Sequence, residues 1–262
     1  MSQESAEKTE RYTIQSIDKA LDLLELLAEH GTLSLIELTE RLEQPKSSTY
    51  RIVLTLENRG FISRSDEDGK YCLGYKQLML TRNLLERNTL RTAALPEMKR
   101  LSELYGDTVN LGVLLDGHVL YVEIIESTHP LRMTDSIGSR SPFHATAIGK
   151  AIASRLPEET VRGLVADYGL MPITPNTIAT EEALFRELER IRKQGYALDD
   201  QEIVEGARCV AAPIVDVQGR PAGAISLSGA MHRFKEERLP AIAAEVIGAA
   251  SAVSMRLGSV PR

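Results

Sequence analysis

The chain has 262 residues, of which 43% are hydrophobic and 26% charged, with a formal net charge of −6. This composition excludes a largely disordered chain, and the length is sufficient for two ordinary domains. No apolar run approaches the length of a membrane span and no signal pattern opens the chain, so we predict a cytoplasmic protein without membrane contact. Cys72 and Cys209 lie far apart in the sequence, which indicates reduced thiols rather than a disulfide or a C-x-x-C metal site.

The first predicted helix follows a polar segment without periodicity, residues 1–11, which we expect to be a disordered tail. Ser16 is the predicted N-cap of the helix and Gly31 its end. The inward stripe is assigned to Ile17, Ala20, Leu21, Leu24, Leu27 and Ala28. Leu23 and Leu26 fall off that stripe, which predicts a second apolar surface against a neighbouring subunit.

A helix-turn-helix pattern follows in residues 34–58. Ser34 and Glu37 form an S-x-x-E capping box, and Pro45 favours the first turn of a second helix. The inward face of that second helix is predicted to carry Thr49, Ile52, Val53 and Leu56. A turn that offers basic and hydroxyl side chains suits phosphates and base edges in a major groove. The candidate DNA-binding residues of the exposed face are Lys46, Ser47, Ser48, Tyr50 and Arg51.

Two short strands at residues 61–64 and 70–73, joined by a turn that contains Asp-Gly, complete a winged helix. Lys70 on the wing is a further candidate for contact with the DNA backbone. Although the whole chain is acidic, residues 44–64 contain four basic residues and one acidic residue, a local net charge of +3. Such a patch favours phosphate binding. A helical hairpin with a solvated polar face, or a winged helix that binds protein, remains an alternative.

The second half has a different rhythm, in which β-hairpins alternate with helices. A linker helix is predicted at residues 76–90, and Pro96 is expected to open a further helix. Strands are predicted at residues 108–115, 119–126, 131–136, 196–198, 207–217 and 222–228, and helices at 146–155, 158–168, 181–194 and 239–257. Hairpins with helices between them indicate an α+β domain built on an antiparallel sheet.

Several motifs, in order along the chain, resemble those of the IclR family of transcriptional regulators. They are QSIDKAL at 15–21, PKSSTYR at 45–51, HATAIGKA at 144–151, GYA at 195–197 with Asp199, GARCVAAP at 206–213 and AISLSG at 224–229. The resemblance covers nearly the whole chain and both predicted domains, which makes it specific.

This resemblance implies a domain organisation and a set of partners. A winged helix-turn-helix DNA-binding domain at residues 12–75 and the linker helix would precede a GAF-like effector-binding domain at residues 91–262. The protein would be a homodimer or homotetramer that binds double-stranded operator DNA with two half-sites. A small-molecule effector in the second domain would change operator affinity through the linker helix.

The resemblance also implies an effector pocket, formed by Met133, Ala147, Ile148, Asp199, Cys209, Ser226 and Ser228. Ser226 and Ser228 project from one face of a strand, and with N–H groups near Gly149 they would receive a carboxylate. Asp199 suits an anion only if it accepts a proton from a ligand hydroxyl or amide. Ala147 stands where many relatives carry glycine, which alters the pocket there. The expected effector is a carboxylate such as an aromatic or sugar acid.

An enzyme is the competing class. A hydrolase could use the residues of this pocket with His144 as the base. The sequence has no G-x-S-x-G, no G-x-G-x-x-G and no zinc spacing among its five histidines, and Gly149-Lys150 lacks the remaining residues of a P-loop. We therefore predict a transcriptional regulator, a repressor in preference to an activator, that is not an enzyme and needs no metal or cofactor.

Overall fold

The computed structural model of the chain describes residues 14–65, 67–87, 89–129 and 135–259, with the backbone alone for residues 82–87. Internal contacts divide the chain into two compact units, Met1–Arg87 and Asn88–Arg262. The predicted tail lies outside the described residues.

The amino-terminal unit is a winged helix. Its elements are α1 (Gln15–His30), α2 (Leu35–Arg41), α3 (Lys46–Asn58), β1 (Ile62–Arg64), β2 (Tyr71–Leu73) and α4 (Lys76–Arg87). The two strands pair antiparallel with Ser63 opposite Cys72, which confirms the predicted hairpin. Leu23, Leu38 and Val53 are fully buried in the core that joins the first three helices.

The predicted capping box is present at the start of α2. The Ser34 hydroxyl accepts from the Glu37 N–H at 3.3 Å, and Glu37 Oε2 accepts from the Ser34 N–H at 2.7 Å. Each side chain thus satisfies an otherwise unpaired backbone donor. Pro45 is the N-cap of α3, one residue before the predicted position.

Two expectations for α1 are wrong. The helix begins with Ile14 rather than Ser16 as its N-cap. Ile17 and Leu21, assigned to the inward stripe, are 54% and 53% exposed, whereas Leu23, assigned to a surface against a neighbouring subunit, is fully buried in the core. Because the helix has apolar residues on two sides, its periodicity cannot show which side the neighbouring helices cover.

The carboxy-terminal unit is an α+β domain. Its helices are α5 (Thr89–Tyr105), α6 (Ala147–Ala153), α7 (Glu158–Tyr168), α8 (Glu181–Gln194) and α9 (Leu239–Arg256), and its strands are β3 (Thr108–Leu115), β4 (His118–Ile125), β5 (Arg140–Pro142), β6 (Ala197–Asp200), β7 (Ala207–Val215) and β8 (Pro221–Ala230). The strand order is β5-β4-β3-β8-β7-β6, and every adjacent pair is antiparallel. This confirms the predicted fold class.

Helices cover both faces of this sheet. Side chains of α5 and α9 pack on one face, where Met98, Val210 and Val246 are fully buried. On the other face α6 lies against the sheet, with α7 and α8 outside it, where Leu184 and Ala211 are fully buried. The candidate effector residues lie on the α6 face.

The last helix corrects an expectation about apolar length. Together with the short 3-10 helix before it, the segment Glu236–Arg256 is long and apolar enough to cross a membrane by length and composition alone. Its residues Val246, Ala249 and Val253 are fully buried against the sheet, as in the core helix of a globular domain.

Three further features of this unit differ from the sequence prediction or lie largely outside the described residues. Pro96 lies inside α5 and does not open a new helix, since the surrounding turns are anchored by buried Ala94 and Met98. The strand β5, which pairs with β4, was not predicted. Most of the predicted strand at residues 131–136 lies outside the described residues.

Candidate functional site

The amino-terminal turn of α3 faces solvent. Thr49 and Val53 are buried and fix the orientation of the helix. Of the predicted DNA-binding residues on this helix, four are exposed and one, Ser48, is half-buried. The exposed four are Lys46, Ser47, Tyr50 and Arg51.

The basic side chains of the amino-terminal unit differ in whether they contact other residues of that unit. Lys46 and Arg51 form no ion pair with any residue in the described parts of the chain, so both are available to phosphates or bases. Arg64 is used internally, because its Nε donates to the Gly69 carbonyl at 3.1 Å and its guanidinium lies over the Tyr71 ring. Arg64 therefore stabilises the wing.

Lys70 lies in the wing, directly before β2. Its side chain is half-buried, and its N–H donates to Asp68 Oδ1 at 3.1 Å. Lys70 and Ser48 are therefore half-buried, whereas the other predicted DNA-binding residues are exposed.

A small cavity on the α6 face of the sheet brings six of the seven predicted effector residues together. They are Ala147, Ile148, Asp199, Cys209, Ser226 and Ser228. The seventh, Met133, lies outside the described residues. The cavity volume is about 30 Å³. That these residues contact a ligand remains a prediction.

Strand register explains how these residues meet. Asp199 on β6 pairs with Cys209 on β7, which pairs with Ser228 on β8, so the three form a row across the sheet. Ser226, two residues before Ser228, points to the same face because side chains alternate along a strand.

Sequence reasoning missed six further lining residues, namely Asn110, Tyr121, Asp135, Ser141, Thr146 and Ile203. Asn110 is the most informative, since its Nδ2 donates to Ser226 Oγ at 3.3 Å and to Ser228 Oγ at 3.1 Å. The available signal was a polar amide within the apolar strand TVNLGVLL, where an unneeded polar group would be costly.

The start of α6 differs from the expectation. Thr146 is the N-cap, and its hydroxyl accepts from the Gly149 N–H at 3.0 Å. The Gly149 N–H is therefore not available for a carboxylate. Glycine is required at this position for another reason, because a Cβ there would lie 2.1 Å from the carbonyl oxygen of Phe143.

Asp199 is a buried carboxyl group on the cavity wall. Burial raises its pKa to about 7, although the charge of Lys150 and the N–H of Glu202 act in the opposite direction. That N–H donates to Asp199 Oδ1 at 2.7 Å. Burial likewise raises the pKa of Asp135. Near neutral pH the cavity wall therefore carries a carboxyl group that can be protonated.

The nucleophile and base that a hydrolase would need are not available in this cavity. Burial, and then the charge of Asp199, raises the pKa of the Cys209 thiol well above its usual range, which disfavours the nucleophilic thiolate. His144 is not among the cavity's lining residues, and its Nε2 lies 3.1 Å from the carbonyl oxygen of Met171. In the described ranges, no three His, Cys, Asp or Glu side chains form a group that could hold a metal ion.

A winged helix with an exposed basic recognition helix, in one chain with a domain that holds a buried polar cavity, defines a DNA-binding transcriptional regulator with an effector domain. The model of the bacterial transcriptional regulator IclR C-terminal domain matches residues 82–255, and that of the IclR helix-turn-helix domain matches residues 16–66. The chain belongs to the IclR family.

Individual relatives agree with this assignment. The transcriptional repressor IclR of Escherichia coli is 35% identical over 94% of this chain and 91% of its own length. The acetate operon repressor of Salmonella typhimurium is 35% identical over 94% of this chain and 90% of its own. The crystal structure of the Thermotoga maritima IclR has a TM-score of 0.74 and 31% identity over 94% of this chain and all of that one. These relatives are regulators, which points to a role other than catalysis.

Proposed function

We propose that this chain represses transcription by binding operator DNA through α3 and that a small carboxylate in the cavity of the effector domain changes operator affinity. The exposed amino-terminal turn of α3, where Lys46 and Arg51 form no ion pair within the described ranges, is the observation that carries the DNA-binding part. The names of the two curated relatives support repression rather than activation.

The roles within the DNA interface follow from side-chain chemistry. Arg51 and Tyr50 read base edges, because a guanidinium can donate two parallel hydrogen bonds to guanine. Lys46, Ser47 and Ser48 bind phosphates and fix the register, and Lys70 on the wing binds the adjacent backbone.

We further propose a dimer or tetramer, in which two copies of α3 enter successive major grooves. The exposed apolar side chains of Ile17 and Leu21 on α1, and of Ile14 at its N-cap, support contact with a second copy of the chain. A regulator of this kind acts where chromosomal DNA lies, so the proposed location is the cytoplasm.

Neutral donors in the cavity support a carboxylate effector. The Ser226 hydroxyl can donate to a carboxylate oxygen, and burial raises the pKa of Tyr121, so its phenol remains a donor at neutral pH. The proposed coupling runs from this cavity through the linker helix at residues 76–90 to the DNA-binding domain.

Selection and release of DNA would test this function. The full chain is used to select binding sequences from a random pool of duplexes, and the selected duplex is then titrated in fluorescence anisotropy with a panel of small carboxylates. We expect a selected sequence with two half-sites, and a change in affinity with one or more carboxylates.

Ser226→Leu is the matched variant, because its side chain would fill the cavity, whose lining residues all belong to the carboxy-terminal unit. It should bind the selected duplex as the wild type does but lose the response to carboxylates. A random pool from which no sequence is enriched would contradict the DNA-binding function, and an unchanged response in Ser226→Leu would contradict the assigned pocket.

A further inference from the structure

The ionisable groups buried beside the cavity carry more negative than positive charge. Lys150 is fully buried, and Asp199 and Glu202 are 4% and 5% exposed. Lys150 Nζ is paired with Glu202 and donates to the carbonyl oxygen of Leu198 at 2.7 Å. Asp199 forms no ion pair with any residue in the described ranges. One buried ammonium group thus faces two buried carboxyl groups, and the second of these is left without a counter-ion.

The other ionisable groups that line the cavity with Asp199 are acids. Cys209 lies on β7, Tyr121 on β4 and Asp135 in the segment before β5. Burial raises the pKa of each of them, so the thiol and the phenol stay neutral near pH 7. None of the three supplies a positive charge that would balance an ionised Asp199.

The cations nearby are already engaged. Arg208 and Asp200 follow each other across β7 and β6 but, because side chains alternate, face the other side of the sheet, where Arg208 Nε donates to Asp200 Oδ1 at 2.6 Å. His144 lies outside the cavity lining, and its Nε2 is within hydrogen-bonding distance of a backbone carbonyl. Lys150 is the cation whose charge acts most strongly on Asp199, and it is already paired.

Asp199 has the geometry of a hydrogen-bond donor when it is protonated. Its Oδ1 accepts from the Glu202 N–H at 2.7 Å, which leaves Oδ2 to carry the proton. Its carboxyl group lines the cavity in the same row as Cys209 and Ser228. A protonated carboxyl group donates to an anion, whereas an ionised one contains only acceptors and repels it. Since burial holds the pKa of Asp199 at about 7, both forms exist near neutral pH.

We propose that a carboxylate effector enters this cavity together with a proton, which Asp199 holds on Oδ2 and donates as a hydrogen bond to an oxygen of the effector. This inference rests on the proposed function and adds its regulation by pH. The proton comes from solvent and forms the O–H bond of Asp199, no covalent bond of the effector changes, and the cavity gains no net charge on binding. The affinity for the effector, and with it the response of DNA binding, therefore falls as the pH rises.

Titration calorimetry of the full chain tests this coupling, with acetate, propionate and benzoate as probes. Each titration is run at pH 6 and pH 8 in two buffers of different ionisation enthalpy, from which the number of protons taken up is obtained. The probes are ionised throughout this range. We expect binding to be about tenfold weaker at pH 8 than at pH 6, because Asp199 must first be protonated at pH 8. The uptake should be about one proton per bound probe at pH 8 and close to none at pH 6.

Asp199→Asn should remove the pH dependence. Its amide keeps an oxygen for the Glu202 N–H and offers an N–H in place of the carboxyl O–H. The variant should therefore bind at pH 8 about as tightly as the wild type binds at pH 6, without proton uptake. An aspartate with a structural role alone would not give a variant that binds more tightly at pH 8 than the wild type does.

Asp135→Asn and His144→Gln are the controls for other groups that titrate in this domain. Burial raises the pKa of Asp135 and lowers that of His144. Both variants should keep the change in affinity between pH 6 and pH 8. Loss of that change in either control, while Asp199→Asn retains it, would assign the proton to the other group and overturn the role of Asp199.

The possible results separate this inference from the proposed function. If a probe binds equally at both pH values and without proton uptake, the coupling is overturned while a carboxylate effector stands. If Asp199→Asn takes up a proton as the wild type does, Asp199 is not the site of that proton and the inference is overturned. If no probe binds at either pH, the carboxylate effector and this inference fail together.

Discussion

Lys150 and Glu202 form an ion pair in the interior of the effector domain, where the Lys150 side chain is fully buried. Lys150 Nζ also donates to the carbonyl oxygen of Leu198 at 2.7 Å. The Glu202 N–H in turn donates to Asp199. The pair thus connects α6 with the turn after β6, which places Ile203 in the cavity wall.

Loss of one partner from this pair should be costly. We expect Lys150→Met to lower the free energy of unfolding by about 3 to 5 kcal/mol, because the Glu202 carboxyl group would remain buried without its cation. Urea denaturation measures this loss. Lys193→Met removes a lysine paired with Glu189 on the exposed face of α8 and should cost far less, because exposed ion pairs contribute little to stability. Equal losses in the two variants would show that the buried pair has no special role.

Asp199 should make stability depend on pH. Its pKa is about 7 in the folded chain, against 3.8 for an ordinary aspartate, so between these pH values the folded state holds a proton that the unfolded state has released. Stability from this group is therefore greatest below about pH 4 and falls as the pH rises to about 7. The full change is on the order of 4 kcal/mol.

Asp199→Asn removes this titration and keeps an oxygen to accept the Glu202 N–H. Relative to the wild type, the variant should gain stability steadily between pH 5 and about pH 7, as measured by urea denaturation at several pH values. A difference between the two proteins that is constant over this range would contradict the assigned protonation of Asp199.

The close approach of α6 to the segment before it should make Gly149 intolerant of a side chain. Gly149→Ala places a Cβ against the Phe143 carbonyl, and we expect a loss of several °C in melting temperature. Gly163→Ala is the matched control within α7, where the added Cβ meets no atom within 4 Å. It should stabilise by about 0.5 to 1 kcal/mol, since alanine favours a helix more than glycine. Lower stability of Gly149→Ala together with higher stability of Gly163→Ala would support the described packing. A Gly149→Ala variant as stable as the wild type would contradict it.

The capping box should matter for the DNA-binding unit. Ser34→Ala removes the acceptor for the Glu37 N–H and should cost about 1 kcal/mol in stability. Ser47→Ala, on the exposed turn of α3, should leave stability nearly unchanged but weaken DNA binding. Thermal unfolding and anisotropy measured on both variants distinguish the two roles. Weaker DNA binding in Ser34→Ala together with lower stability in Ser47→Ala would refute this assignment.

Local sequence determined the bounds of several elements well. The predicted bounds of α7 and α8 agree with the structure because Pro157 and Thr180 cap their starts and Gly169 and Gly195 end them. Such signals act within a few residues and can be read from the sequence alone.

Contacts between distant residues could not be read in this way. The family motifs brought Asp199, Cys209 and Ser228 to one predicted pocket, but Asn110 meets its serines more than 100 residues away in sequence. Lys150 and Glu202 likewise meet only through packing of α6 on the sheet. No local periodicity encodes such pairs, because strand order and register place them together.

The central claim is that this chain reads DNA sequence through the exposed turn of α3. The most direct measurement is fluorescence anisotropy of a selected duplex and of a scrambled duplex of equal composition, at fixed salt, with the wild type, Arg51→Ala and Arg59→Ala. Arg59 is the matched control, because it is an exposed arginine at the other end of the same helix.

The wild type should bind the selected duplex at least about 10³-fold more tightly than the scrambled one. Arg51→Ala should weaken the selected duplex by about 1 to 3 kcal/mol and reduce this ratio, whereas Arg59→Ala should leave the ratio unchanged. Equal binding of the two duplexes by the wild type, or an unchanged ratio in Arg51→Ala, would contradict the claim.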